Sequence, residues 1–252
     1  TNNLKPYHFL IKATFKLLFF VLMVFLSCTE DQLSADSVIQ KSIEAHGGEA
    51  LWNQVSTITY TKNTRLFTPT KVLEEEISQK ISHAFHPFYT TLEWENSEGH
   101  FYANNRNETT VLLKNQTRIT DSLFLKQTKT TLDAALYVFW QPIKLLDPLA
   151  RKEYLGKQLL LDSIEVHSVK ISYSDDPNAD LWHYYFSTKN FKLRAVKVEH
   201  NHRSSLIINE SYETKTGLSL NKTRKSYFLD TLNQIEYLRA SYDYEILEVL
   251  WR

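Results

Sequence analysis

The chain has little of what many active sites are built from. Its 252 residues include one cysteine, one methionine and five glycines. A single thiol can form neither a disulfide framework nor a thiolate zinc centre, and so few glycines leave no material for a phosphate-cradling loop. Gly-x-Ser-x-Gly and His-Glu-x-x-His patterns are absent as well. No excess of one charge is present either, since Lys plus Arg and Asp plus Glu both number 29. Three of the basic residues, Lys5, Lys12 and Lys16, precede position 28, where no acid stands; without them 26 basic residues face 29 acidic ones. That balance argues against nucleic acid as a partner, because binding it needs a basic footprint. Nothing in these absences calls for a cofactor or a metal. The eightfold alternation of strand and helix that a (β/α)₈ barrel requires is also missing.

What is present begins with a targeting segment. Leu17 to Leu26 is an unbroken apolar run behind the three lysines. As a helix it covers about 15 Å, half of a ~30 Å hydrocarbon core, so it is too short to span and has the shape of a signal-peptide core. Cys28 stands just beyond it in Phe25-Leu26-Ser27-Cys28. This resembles a bacterial lipobox, in which the cysteine is acylated and becomes the new N-terminus; Ser27 suits the small residue before the cut. The expected organisation is a signal peptide over 1–27, a tether over 28–35 and a folded domain over 36–252. Acyl chains on Cys28 would moor that domain to a membrane without spanning it. Thr29-Glu30-Asp31 resembles an export signal for the cell surface, so the expected location is the outer membrane, on its periplasmic face or the surface.

Asp36 can cap a helix whose Val38, Ile39, Ile43 and His46 share one face, and Gly47-Gly48 stops it. From Val55 the texture changes to short alternating runs of Thr, Tyr, Phe, Ile and Val, the period of strands. Leu73, Ile77, Ile81 and Phe85 recur every four residues as in a helix, yet they also share a strand face; strand neighbours favour strand. Residues 121–150 interrupt the pattern. Leu132, Ala135, Leu136 and Phe139 keep helical spacing there, and Pro142 and Pro148 break the chain after Phe139. Strands then resume to the end, through Leu181–Ser187, Leu218–Leu229 and Gln234–Glu248 among others. The layout predicts an α+β domain, an antiparallel sheet with an N-terminal helix and a helical insertion.

Three stretches carry a family resemblance. Ile43-Glu44-Ala45-His46-Gly47-Gly48 with Trp52 and Val55 resembles the opening of a family of Bacteroidota lipoproteins of uncharacterised function. Tyr137-Val138-Phe139-Trp140-Gln141-Pro142 with Leu146-Asp147-Pro148 is similar to its middle segment. The stretch from Trp182 to Arg194 is similar to its hairpin of an aromatic strand, a turn and a strand with Leu and Arg, which recurs in the lipoprotein carriers LolA and LolB. Those carriers fold as an unclosed antiparallel barrel, with helices plugging the mouth and acyl chains held inside. The resemblance therefore implies a single curved, LolA-like sheet with a concave apolar face and no catalytic residue. A soluble shuttle such as LolA lacks an anchor, whereas Cys28 implies a protein held on a membrane, as LolB is.

Several constellations have a plain structural reading beside a functional one. His200 and His202 could begin a metal site, but zinc needs three or four ligands and no further one is placed, so a strand-end pair is expected. The acidic stretch from Asp175 to Asp180 lacks the ligand spacing of a calcium loop. His46 packs on the sheet or caps its helix C-terminus, where positive charge is favoured. Glu74-Glu75-Glu76 reads as a solvated edge. Arg203, Lys215, Lys222, Arg224 and Lys225 read as edge protection against strand pairing.

The aromatic load is the more informative feature: Tyr 14, Phe 14 and Trp 5, together 13% of the chain. Trp182, Tyr184 and Phe186 share one strand face, and Tyr242 and Tyr244 share another. With Phe139 and Trp140 of the insertion they are the candidate ligand-binding residues; the other reading makes them the seal between sheet and helices. The expected function is a membrane-anchored exported lipoprotein that binds a lipid or other apolar molecule without catalysis. A structural or partner-binding surface lipoprotein and an envelope hydrolase stay open as alternatives.

Overall fold

The computed structural model describes residues 33–174, 176, 179–200 and 203–252. The signal segment, Cys28, most of the tether, His202 and part of the acidic loop lie outside the described residues. Helix α1 (Ala35–Ala45) starts at Ser34, not at Asp36. Ser34 and Ser37 cap each other: the Ser37 N–H donates to Ser34 Oγ (3.1 Å) and the Ser34 N–H to Ser37 Oγ (2.9 Å). This reciprocal box satisfies two helix-start donors at once, an arrangement worth about 1 kcal/mol. Asp36 sits in the first turn, where Lys152 Nζ reaches it at 2.9 Å. The helix ends on Gly47, whose φ of +118° suits only glycine, and a Cβ there would lie 2.8 Å from the Gly217 carbonyl oxygen. Helix α2 (Glu49–Gln54) then delivers the chain to the sheet.

The sheet contains every strand among the described residues: β1 (Val55–Phe67), β2 (Leu73–Phe85), β3 (Phe88–Asn96), β4 (Gly99–Arg106), β5 (Thr109–Lys114), β6 (Thr117–Arg118), β7 (Arg151–Leu160), β8 (Ile164–Ser172), β9 (Leu181–Ser187), β10 (Leu193–His200), β11 (Arg203–Glu213), β12 (Leu220–Leu229) and β13 (Ile235–Trp251). Their spatial order is β6-β5-β4-β3-β2-β1-β13-β12-β11-β10-β9-β8-β7, antiparallel and unclosed. Two meanders thus run edge to centre and meet at one seam, where β1 pairs with β13 from Val55↔Trp251 to Leu66↔Ala240. Residues 73–85 form a strand because both flanks supply partners, β1 along its length and β3 from Gln79 onward. The acidic stretch Glu74 to Glu76 overhangs β3 and is solvated; Glu76 pairs with Arg65 at 2.9 Å and Glu74 with Arg239.

The meanders end at opposite edges, so the chain must cross the sheet to pass from β6 to β7. Helix α3 (Ser122–Phe139) makes the first part of that crossing over the concave face, from the β3–β5 side to the central seam, where Phe139 meets Tyr60 of β1 and Tyr244 of β13; residues 140–150 complete it. Asp121 caps it, accepting from the Phe124 N–H at 2.7 Å. Thr128, Leu132, Leu136 and Phe139 are its buried side. The 3₁₀ turn Ile143–Leu146 comes directly after Pro142. At the far end of the concave face Trp140 packs edge-on to Trp52 (4.7 Å) and against Phe85 (4.6 Å), joining α2 to the end of α3.

Candidate functional site

Two pins hold α3 over the sheet. Phe139, 1% exposed, stacks on Tyr60 with ring centroids 3.7 Å apart, beside Tyr244. Two residues earlier, the Tyr137 hydroxyl lies 3.0 Å from that of Tyr184 and 2.8 Å from that of Tyr173, which ties the helix to the β8–β9 side. Gln141 donates from Nε2 to the Tyr184 hydroxyl at 3.2 Å. Burial holds all three of these phenols above the ordinary tyrosine range, so they act as neutral hydrogen-bonding groups.

Between these pins and the sheet lies a cavity of about 480 Å³, within the range of small-ligand pockets. From above, α3 contributes Thr131, Ala135 and Val138; the floor includes Val196 and Val198 of β10 and Ile207 of β11. Small side chains on the helix keep the space open, and β-branched ones on the strands keep its floor apolar. A second groove of about 310 Å³ shares Gln79, Leu92 and Thr131 with it, and there Glu75, Glu76 and Glu95 add acidic groups.

The predicted aromatics divide between these environments. Trp182, Tyr242 and Tyr244 line the cavity. Phe139, Trp140, Tyr184 and Phe186 do not; each is less than a tenth exposed and lies in the packed interior, Phe186 opposite Leu193. Burial, with Tyr244 next to it, raises the Tyr242 phenol above its usual range while Arg224 opposes the shift.

Two polar residues of the wall were not singled out as ligand-facing by the sequence. Arg224 is not edge protection: β12 lies between β11 and β13, and the side chain, 4% exposed, points into the cavity wall. Register explains this, because Arg224 stands opposite Asn209 and Tyr242, on the same face as both. Its Nε donates to Asn209 Oδ1 at 2.8 Å. Gln141 also lines the cavity, and its Oε1 is buried with no partner among the described residues. Strand parity with Ser226 and Tyr242 is the signal that could have found Arg224.

The histidines take structural places. His83 is fully buried, 3.2 Å from the Tyr60 hydroxyl and 3.0 Å from Thr90 Oγ1. Burial pushes its imidazole down to about 3. His46 ends α1, its Nδ1 2.7 Å from the Ser42 carbonyl oxygen and its ring edge-on to Tyr212. The expected preference for positive charge at that helix end is overridden: burial lowers His46 to about 4, so it is neutral. His200 pairs with Asp180. Among the described residues no group of three or more His, Cys, Asp or Glu is placed to hold a metal ion.

Comparison with known proteins places the fold. No protein-family model and no curated sequence matches the chain. Solved structures do. A LolA superfamily protein of Nitrosomonas europaea superposes with a TM-score of 0.54 at 8% identity, covering 88% of this chain and 94% of that one. A DUF1329 family protein of Desulfovibrio piger gives 0.49 at 7% identity, over 84% and 91% of the two chains. At 8% identity the first of these likenesses is one of fold, and that fold is LolA-like: a single unclosed antiparallel sheet with few helices.

Proposed function

We propose that this chain is an exported envelope lipoprotein, anchored through acyl groups on Cys28 to the outer membrane, whose sheet domain holds a lipid or other apolar molecule beneath α3 without chemical conversion. The observation that carries the reading is the cavity itself. It opens between a helix of small residues and a floor of Val196, Val198 and Ile207, with Trp182, Tyr242 and Tyr244 around it. A sheet packed solely for stability closes such space, because interiors approach crystal-like density. The LolA-like fold supports the reading, as does the sequence resemblance to carriers that keep acyl chains inside. The lipobox-like Phe25-Leu26-Ser27-Cys28 supports the anchor.

Native mass spectrometry after gentle extraction tests the binding role: a co-purifying small molecule is expected, and a consistently empty protein overturns it. Ala135 faces the cavity from α3 and is only half-buried. The substitution Ala135→Trp fills the space, so the bound mass disappears while the far-ultraviolet circular dichroism stays unchanged. Labelled palmitate appears on the wild-type chain and not on Cys28→Ser; no label on the wild type overturns the anchor alone.

A further inference from the structure

The cavity carries charge of one sign. Lys62 and Arg224 line it, and among the described residues that line it there is no carboxylate. Lys62 is half-buried, its Nζ over the Tyr242 ring at 5.3 Å. Arg224 is the more telling group, because 96% of it is removed from solvent (4% exposed). A guanidinium has five N–H donors, and one held in the interior without a counter-charge is unfavourable unless those donors are met; no Arg224 nitrogen is fully enclosed without a partner, so its unbonded N–H groups open onto the cavity. Here a single donor is satisfied, Nε by Asn209 Oδ1. No other hydrogen bond and no ion pair to Arg224 is formed among the described residues.

The fold holds this arrangement firmly. Asn209 is fully buried, and its Nδ2 donates to the Leu193 carbonyl oxygen at 2.9 Å and to the Tyr212 hydroxyl at 3.3 Å. The Leu193 carbonyl also accepts from the Tyr212 hydroxyl. Asn209 therefore cannot turn its amide, and its oxygen orients Arg224 by one edge. The remaining N–H groups form the planar fork that matches a carboxylate or phosphate with two parallel bonds.

Resting on the ligand-binding reading above, we infer that the ligand is a single-chain anionic amphiphile. Its tail lies along Val196, Val198 and Ile207, and its carboxylate or phosphate head is seated on Arg224 with Lys62 adding long-range attraction. The groove beside the cavity, where Glu75 and Glu95 add negative charge and Glu76 is held by Arg65, disfavours the head and so sets its direction.

The probes are dansyl-undecanoic acid and its neutral methyl ester, bound to the full-length chain and read by energy transfer from tryptophan. The acid is expected to bind at least about tenfold more tightly than the ester, the scale of one charge-assisted pair. Arg224→Met brings the acid down to the ester's affinity and leaves the ester unchanged, whereas Arg224→Lys retains part of the preference. Displacement by palmitate and by hexadecyl phosphate, with hexadecanol as the neutral control, separates carboxylate from phosphate heads. Equal binding of acid and ester to the wild type overturns this inference and leaves the apolar-ligand reading standing, and it needs no variant to fold. Loss of the preference on Lys62→Met alone overturns the assignment to Arg224. Binding of neither probe overturns both readings.

Discussion

Acidification is expected to destabilise this fold through its buried histidines, and His83 gives the cleanest measurement. The unfolded chain titrates its imidazole near 6.5, whereas in the folded protein burial lowers His83 to about 3, with the Lys144 charge acting in the same sense. Between those values the unfolded state takes up a proton that the native state refuses, so stability falls as pH falls through that window and is fully present above it. At pH 5 the unfolded value lies about 1.5 units above ambient, and at about 1.36 kcal/mol per unit His83 alone costs about 2 kcal/mol relative to pH 7. His83→Gln removes the titration while keeping a side chain that can serve Tyr60 and Thr90. Urea unfolding of both proteins at pH 7 and pH 5 yields a double difference in which every carboxylate cancels. The wild type should lose about 2 kcal/mol more than the variant over that interval. Equal losses would refute the claim that His83 stays neutral when folded.

The packing around α3 and one turn give further outcomes. Phe139→Ala removes the ring stacked on Tyr60 and should cost about 3–5 kcal/mol, measured by denaturant midpoint; a cost below about 1 kcal/mol would mean the helix is not pinned there. Gly47→Ala should destabilise more than Gly156→Ala. Both glycines have positive φ, but a Cβ at Gly47 meets the Gly217 carbonyl oxygen and one at Gly156 meets nothing within 4 Å. Thermal unfolding of the two variants side by side decides it.

Much of this architecture could be read from alternation. Leu181–Ser187 is a strand with the bounds its pattern predicts, and Tyr242 and Tyr244 do share an inward face. Local period determines such features, because a strand's two faces are set by parity once one face is buried. Features set by distant pairing could not be read. Arg224 is flanked by Thr223 and Lys225, and its one local signal is parity with Ser226, a small polar residue that does not itself mark an inward face; the register with Asn209 and Tyr242 is what turns it inward. The division among the aromatics has the same origin. Phe139 and Trp140 are neighbours on the insertion, yet one faces Tyr60 and the other Trp52, and neither contact has a local signal. At His46 two known effects oppose each other, the helix end favouring charge and burial forbidding it. Which one wins depends on the depth of the site.

The crossing made by α3 has a mechanical side. The helix, about 27 Å long at 18 residues, runs from the β5–β6 margin to the central seam at Tyr60 and Tyr244, and with residues 140–150 it joins the two free margins of the sheet as a string joins the tips of a bow. Flattening the sheet would draw those margins apart, and the string resists. Bow depth, and hence the room beneath, is then governed by the length of chain on either side of the helix, residues 119–121 before it and 140–150 after it. Slack introduced there, a few residues before Asp121 or after Leu146, would let the bow relax and admit a bulkier guest without touching any residue that faces it.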